Sequence, residues 1–447
     1  MSKEQLYSLM RDALKQSDAD QTEIVAMTTN SALTWYAENI IHQNVAEHTS
    51  QVQVRAIHGK KVGSSSTTDC TPDGLALAVQ QASQAARLMP DDPGFPGLPV
   101  PQPLDAAPDS GWREATAHST PGERVMAVKS VIDRAEREGL RAAGTCVAQD
   151  SELAVMSSMG VSAYQNYTVA SLKAVVMGDD SSGYGFMSSA DVGEIDPQAV
   201  GEQAVRTAME SRNPVELEPG PFDVVLSPYA VEELMSMLAY LSLSARSVEE
   251  HTCFLEGHEG EQIASPLVSL YDDGLDPAGM PVPFDFEGMP KRHVDFLVHG
   301  KGGSVVYDSY YAAKMGRETT GHSLQQPNDI GPYPLNLFLG AGDSSEADMI
   351  SHVERGIYVT RFWYGNPVEP RRAVVTGTTR DGTFLIEDGR KTRGVRNLRF
   401  TQGLVDMFAH TAEVSRTRAV LASSFGIGAM VLPSIRVEQF QFTGVSR

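Results

Sequence analysis

The sequence predicts an α+β protein of two domains, with mixed or antiparallel sheets and helices packed on them. Three observations carry that reading. The chain has 447 residues, more than one ordinary hydrophobic core takes in, so two domains are expected. Its first half reads helix, strands, helix, strands, helix, which predicts segregated layers rather than a strictly alternating parallel fold. The run NPVELEPGP at 213–221 interrupts both helical and strand periodicity and places the boundary there, with domains at 1–215 and 216–447.

Leu6, Leu9, Met10 and Leu14 recur at helical spacing and predict a first helix ending near 17–20. Strand-like runs follow at 22–28, 33–37 and 52–58, and Gly59 and Gly63 mark a hairpin between Ile57 and Ser66. Thr71, Pro72 and Asp73 start a second helix, with a capping hydroxyl ahead of a proline whose missing N–H has no partner to lose there. It runs to Leu88, with Leu75, Leu77, Val79 and the alanines expected inward. Residues 90–108 are too rich in proline for helix or central strand and predict an extended crossing or a linker inside the first domain.

A helix is expected at 121–138 after the cap Thr120, then a β-rich section at 146–187 with hairpin signals at 158–160 and 178–183, then a helix at 196–210. The second domain opens on a strand at 222–226 and a helix starting at Ser227 and Pro228. Val231, Leu234, Met235, Leu238 and Leu241 give this helix an apolar face. Met237, Ala239 and Tyr240 widen that face, so burial on more than one side is expected. Further strands are predicted at 356–364, 373–378, 383–387, 397–401, 430–433 and 437–442.

Thirty-six Lys and Arg against 57 Asp and Glu leave a formal net charge of -21. That balance argues against nucleic acid and against anionic membrane surfaces, both of which need a basic face. The one compact basic stretch, 390–399, reads as the solvated face of a strand and loop. Three cysteines, Cys70, Cys146 and Cys253, form neither a disulfide framework nor a paired zinc spacing. The amphipathic start shows no apolar signal core, and no run approaches a membrane span, so a cytoplasmic location is expected.

His258 and Glu259 begin a metalloprotease-like pair, but Gly260, Glu261 and Gln262 follow without a second histidine. The short zinc motif, in which two imidazoles leave one helical face and the glutamate activates water, is therefore not formed. A looser metal set, His251, Cys253 and His258, requires a loop that folds back. The stretch 300–304, GKGGS, lacks phosphate-loop spacing and predicts a hairpin turn. Ser265 and Ser309 have no nucleophile-elbow context. His322 sits in a glycine-containing loop and reads as a structural histidine or as the lining of a site.

Three blocks of the second half resemble the TldD/PmbA (TldE) family. They are GEQIASP at 260–266 continuing through LVSLYDDG, FDFEGMP at 284–290 with Lys291 and Arg292, and VYDSYYAAKMG at 306–316 with TTGH at 319–322. The tail, FTQGLVDM at 400–407 and VLP at 431–433, fits as well, and the first half fits more weakly.

The resemblance implies the two-domain fold of that family. Its catalytic TldD branch carries H-E-x-x-x-H on the helix after the Leu-x-Pro segment, with a late cysteine completing the zinc site. Counted from Pro228, those helix positions fall at about Ser236, Met237 and Leu241, and no cysteine follows Cys253. The resemblance therefore implies the PmbA/TldE branch. Such a chain has no catalytic, metal or cofactor residues of its own and is inactive alone. It pairs with a TldD-type, zinc-bearing subunit that degrades or processes unfolded peptides, with Ser309 and His322 as residues lining the peptide chamber. Two other readings remain: a self-sufficient homodimeric peptidase-like enzyme with a non-standard site, and a protein-binding regulator.

Overall fold

Two sheets organise the computed structural model, which describes residues 2–104 and 111–446. The chain opens on α1 (Lys3–Lys15), where Ser2 and Gln5 cap each other's backbone amides. β1 (Gln21–Ala37) and β2 (Ile40–His58) form one long hairpin. The predicted runs at 22–28 and 33–37 are thus a single strand, and 52–58 is only the end of the next. The intervening residues are polar and exposed on β2, so no buried face imposes the alternation that marks a strand. The hairpin turns at Glu38 and Asn39, both at positive φ (50° and 60°), the left-handed pair that a two-residue turn requires.

β3 (Lys61–Thr67) adds to β2, and α2 (Pro72–Leu88) lies across it, capped by Thr71 as predicted. Leu77 is an exception to the expected inward face: it is 53% exposed. The buried stripe is Leu75, Ala78, Val79, Ala82 and Ala86, spaced by three or four residues, and Leu77 falls outside it. Residues 90–104 form no regular element. Phe95 and Leu98 anchor them against Ile57, and 105–108 of the predicted crossing lie outside the described residues.

α3 (Glu114–Ala117) precedes α4 (Pro121–Glu136), whose Thr120–Glu123 capping box stands where the sequence predicts a cap. β4 (Arg141–Ser157), β5 (Ser162–Met177) and β6 (Ser182–Ser189) complete a six-stranded antiparallel sheet in the order β3-β2-β1-β4-β5-β6. α5 (Pro197–Glu210), capped by Asp196, closes this half. One face of the sheet carries the helices, with Ile24, Ala26 and Val54 against α1 and α2, and Leu172 and Val176 against α4 and α5. The alternate residues, including Val25, Leu153 and Val155, face the other way into a core shared with the second half.

That half begins with β7 (Gly220–Leu226), α6 (Pro228–Ser242) and α7 (Ala245–Glu249). Short strands β8 (Leu270–Asp272), β9 (Val294–Val298) and β10 (Lys301–Gly302) follow, the last two joined by a turn at 299–300, so the 300–304 stretch predicted to turn begins in that turn and continues as β10. Then come α8 (Ser309–Met315), β11 (Leu337–Leu339), α9 (Glu346–Ser351) and β12 (Arg355–Glu369). β13 (Val374–Glu387), β14 (Arg390–Gly394), β15 (Leu398–Gly403), α10 (Leu404–Ala409), β16 (Thr411–Ala422) and β17 (Ala429–Val445) finish the chain.

Predicted pairs of strands merge again in β13 and in β17, each bent by irregular register against its partners. β7 pairs in parallel with β12 and antiparallel with β17, so β7, β12, β13, β15 and β17 close into a ring. Among the described residues no helix is long and apolar enough to cross a membrane.

Helix meets sheet closely at Gly63, where an added Cβ would stand 2.1 Å from the Ala86 nitrogen and 2.6 Å from the Ala82 carbonyl oxygen. Gly63→Ala is therefore expected to push α2 off β3 and to cost about 1–3 kcal/mol, read from the denaturant midpoint against wild type.

Candidate functional site

The α6 helix starts because Ser227 accepts the Tyr229 amide at 3.2 Å, its hydroxyl donates to the Thr360 carbonyl, and Pro228 needs no partner. Ala230, Val231, Leu234, Met235, Leu238, Ala239 and Leu241 are buried. Glu232, Glu233, Ser236 and Met237 form the partly exposed flank. Tyr240, expected to be covered on a second side, is 53% exposed. It continues that flank, four residues beyond Ser236, and so points away from the buried stripe.

The three positions singled out by resemblance are accounted for locally. The Ser236 hydroxyl meets the Met430 thioether at 3.9 Å. Met237 closes on Gly365, where an added Cβ would touch its Cγ at 3.4 Å, while Gly365 donates its amide to Glu233 at 2.8 Å. Leu241 lies in the core. A neutral hydroxyl, a thioether and an isobutyl group do not make the nitrogen, thiolate or carboxylate set that zinc takes.

Beside them, burial pushes the Glu232 carboxyl up to about 7, with Glu233 adding to the rise and Arg361 opposing it. Arg361 is held by Asp381 at 2.7 Å and lies over the Tyr184 ring at 4.5 Å. This flank therefore holds a carboxyl that exchanges its proton near neutral pH.

His251, Cys253 and His258 are not brought together. His251, its side chain 74% exposed, pairs with Glu256 at 2.9 Å, and His258 pairs with Glu261 at 2.7 Å. Cys253 is buried and donates to the Ser242 carbonyl at 3.0 Å. The thiol thus belongs to the core beneath α6, whereas the histidines stand on outward turns. Among the described residues no group of three or more His, Cys, Asp or Glu side chains is placed to hold a metal ion.

A concentration of buried charge lies where the two sheets meet, and sequence reasoning missed it. Glu23 and Arg55 are cross-strand partners in β1 and β2, both on the face turned toward the second half. Arg55 donates to Glu23 from Nε and Nη2 at 3.1 Å each, and from Nη2 to Glu287 at 2.9 Å. Glu287 also takes the Ser309 amide at 3.1 Å, so Ser309 serves as the first residue of α8 behind this pair.

Asp285 caps its own loop through the amides of Glu287, Met289 and Ser323. Burial, then the Glu287 charge, pushes its carboxyl up to about 8. Asp308 is raised to about 7 for the same two reasons. Arg55, Glu287, Asp308 and Tyr310 line a cavity of about 480 Å³ at the junction. The readable signal was a charged residue at an inward-facing position of each strand.

His322 lines no surface of this chain. It is buried, with Nε2 2.8 Å from Asp272 and Nδ1 2.9 Å from Thr320. The Lys291 amine lies 3.8 Å from the same Asp272 oxygen and makes no hydrogen bond among the described residues. Burial holds the Lys291 amine below its ordinary value against the pull of Asp272 and Asp285. It also lowers His322, with Lys291 adding to the effect. For Asp272, burial works upward, but Lys291 and His322 outweigh it and keep the carboxyl below its usual range. The predicted lining residue is therefore part of a packed charge network.

Three family models match the chain: PmbA/TldA metallopeptidase domain 1 over residues 22–86, the central domain over 118–212 and the C-terminal domain over 219–444. The metalloprotease PmbA of Escherichia coli O157:H7 is 23% identical over 453 residues, 94% of this chain and 92% of that protein. A metalloprotease TldD homologue of Haemophilus influenzae is 28% identical over 207 residues, 46% of this chain. That match spans 42% of the Haemophilus protein's length, less than half of it. The crystal structure of TldE from Thermococcus kodakarensis has the same fold, with a TM-score of 0.86 and 23% identity over 98% of this chain and 100% of that one.

Arg55→Met removes the guanidinium that pairs with Glu23 and Glu287 and leaves a shorter, flexible apolar side chain. Leaving two carboxylates buried together is expected to cost about 3–5 kcal/mol, measured by urea unfolding at neutral pH. Glu232 gives a pH signature. Its folded carboxyl holds a proton up to about 7, whereas the ordinary value is 4.5. The folded state thus binds the extra proton between those values, and its stability falls as pH rises through them. Glu232→Gln is expected to lack this loss, so its midpoint gains on wild type from pH 4.5 to 7.5. A constant difference across that range would refute the assignment.

Proposed function

Because the chain belongs to the PmbA/TldA metallopeptidase family, the TldD/PmbA family of the sequence resemblance, we propose that it is a TldE-like, non-catalytic subunit. It pairs with a TldD-type metalloprotease subunit in breaking down or processing peptides. The observation that carries this reading is the content of α6: Ser236, Met237 and Leu241 stand where the resemblance puts two zinc ligands and a general base. Met237 has no group that deprotonates water, and Leu241 has no donor atom. The sequence also holds no cysteine after Cys253.

In this reading zinc and bond cleavage belong to the partner. This chain supplies a wall of the peptide chamber and acts in the cytoplasm. It divides at 215/216, between the last strand of the first sheet and β7. The TldE fold of the Thermococcus structure, shared over nearly the full chain, supports the same assignment.

Co-expression with a TldD-type protein from the same genome, followed by native mass spectrometry and metal analysis, tests the proposal. The expected result is a mixed dimer with zinc assigned to the partner, and an isolated chain with neither bound zinc nor peptidase activity. Stoichiometric, tightly held zinc in the isolated chain, with chelator-sensitive peptide cleavage, would overturn it.

A further inference from the structure

A second cleft, of about 780 Å³, opens between the starts of α4 and α5 over the sheet. That volume lies within the roughly 300–1,000 Å³ of small-molecule sites. Its walls are mainly apolar, with Met126, Ala127, Val147, Ala170 and Ile195 among them. Arg124 also lines it and is 2% exposed. Its partners are neutral: the Ser119 carbonyl at 2.9 Å and the Asn44 side-chain oxygen at 3.1 Å. Among the described residues its Nε has no hydrogen-bond partner, and neither has the buried Ser119 hydroxyl in the same wall.

Buried guanidinium groups are ordinarily matched by a carboxylate, because an unpaired charge away from water is costly. Among the described residues the carboxylates at the rim make no hydrogen bond or ion pair with Arg124, although, after the Thr120 hydrogen bonds, its charge adds slightly to the lowering of the Glu123 carboxyl. Glu123 is taken up by the Thr120 amide and hydroxyl, and Asp196 by the Gln198 and Ala199 amides.

We propose that this cleft binds an apolar monocarboxylate. The carboxylate reaches Arg124 Nε and the Ser119 hydroxyl, both closed to water in the structure, through a side-chain shift that uncovers them. The hydrocarbon body lies on Met126, Ala127, Ala170 and Ile195. Two sources share that chemistry: the free C-terminus of a peptide ending in an aliphatic residue, and a fatty acid. The site is separate from α6, so its failure leaves the subunit reading standing, and the converse holds too.

The test is calorimetric titration of the full chain with sodium octanoate and octan-1-ol, and with acetyl-Ala-Leu-Leu as the free acid and as the C-terminal amide. The acid of the productive pair is expected to bind at least about tenfold tighter than its neutral counterpart. The pair that shows the larger preference identifies the source. Arg124→Gln is expected to erase the preference. Because Arg124 also braces Asn44, a second variant guards against misfolding: Met126→Glu, at a side chain 66% exposed on the rim, is expected to weaken the acid about tenfold with thermal unfolding unchanged. Equal affinity for acid and neutral counterpart in both pairs, no binding of either, or full binding by Met126→Glu would overturn the proposal.

Discussion

The juxtaposition of the two sheets depends on one buried cation. Arg55 is supplied by the first sheet and satisfied from both sides, by Glu23 across the hairpin and by Glu287 from the loop that carries the second half's charge network. Around it the core is apolar, with Val25, Leu153 and Val155 facing Phe284 and Phe286 in the same cluster. Apolar packing holds the halves together without specifying how they slide, whereas a fork of donors tolerates little displacement before a carboxylate loses its partner. The same geometry sets the states of Asp285 and Asp308, because Glu287 adds to what burial does at both. Loop, helix start and junction cavity are therefore registered to a single guanidinium.

A different constraint positions α6. The helix packs on β12 and β17, two strands of the closed ring, and begins directly out of β7, a third. Its buried stripe is committed to that ring, and only the flank from Glu232 to Tyr240 is left for anything else. Aliphatic and sulphur-containing residues suit the buried side of such a helix, because the core around it is apolar.

Helix starts were legible in the sequence because capping is local. Thr71-Pro72, Thr120-Pro121, Asp196-Pro197 and Ser227-Pro228 each open a helix where the residue types require it. The long strands were legible only in part, since a strand shows its period only where one face is buried. β1, β2, β13 and β17 pass through exposed or bent stretches that hide it. The buried charges showed only as single charged residues at inward-facing strand positions, and their pairing was not legible. Arg55 and Glu287 are 232 residues apart, and nothing near either residue announces the other. His322 could be read from the sequence as structural or as lining a site, and Asp272 and Lys291, distant in sequence, enclose it as a structural residue.

The closed ring also has a temporal side. β7 pairs with β17, and Leu226 stands opposite Ile435. A ribosome adding about 5–20 residues per second exposes β7 roughly 10–40 s before its antiparallel neighbour emerges. During that interval β7 has an open edge, and α6 has emerged without one of the strands that cover it. The six-stranded sheet, drawn wholly from residues 21–189, is complete by then and offers the face that later joins the shared core. The nascent chain is therefore expected to carry a finished first layer and an unfinished second one for most of its synthesis. In the cell, that is when this protein depends most on protection from aggregation.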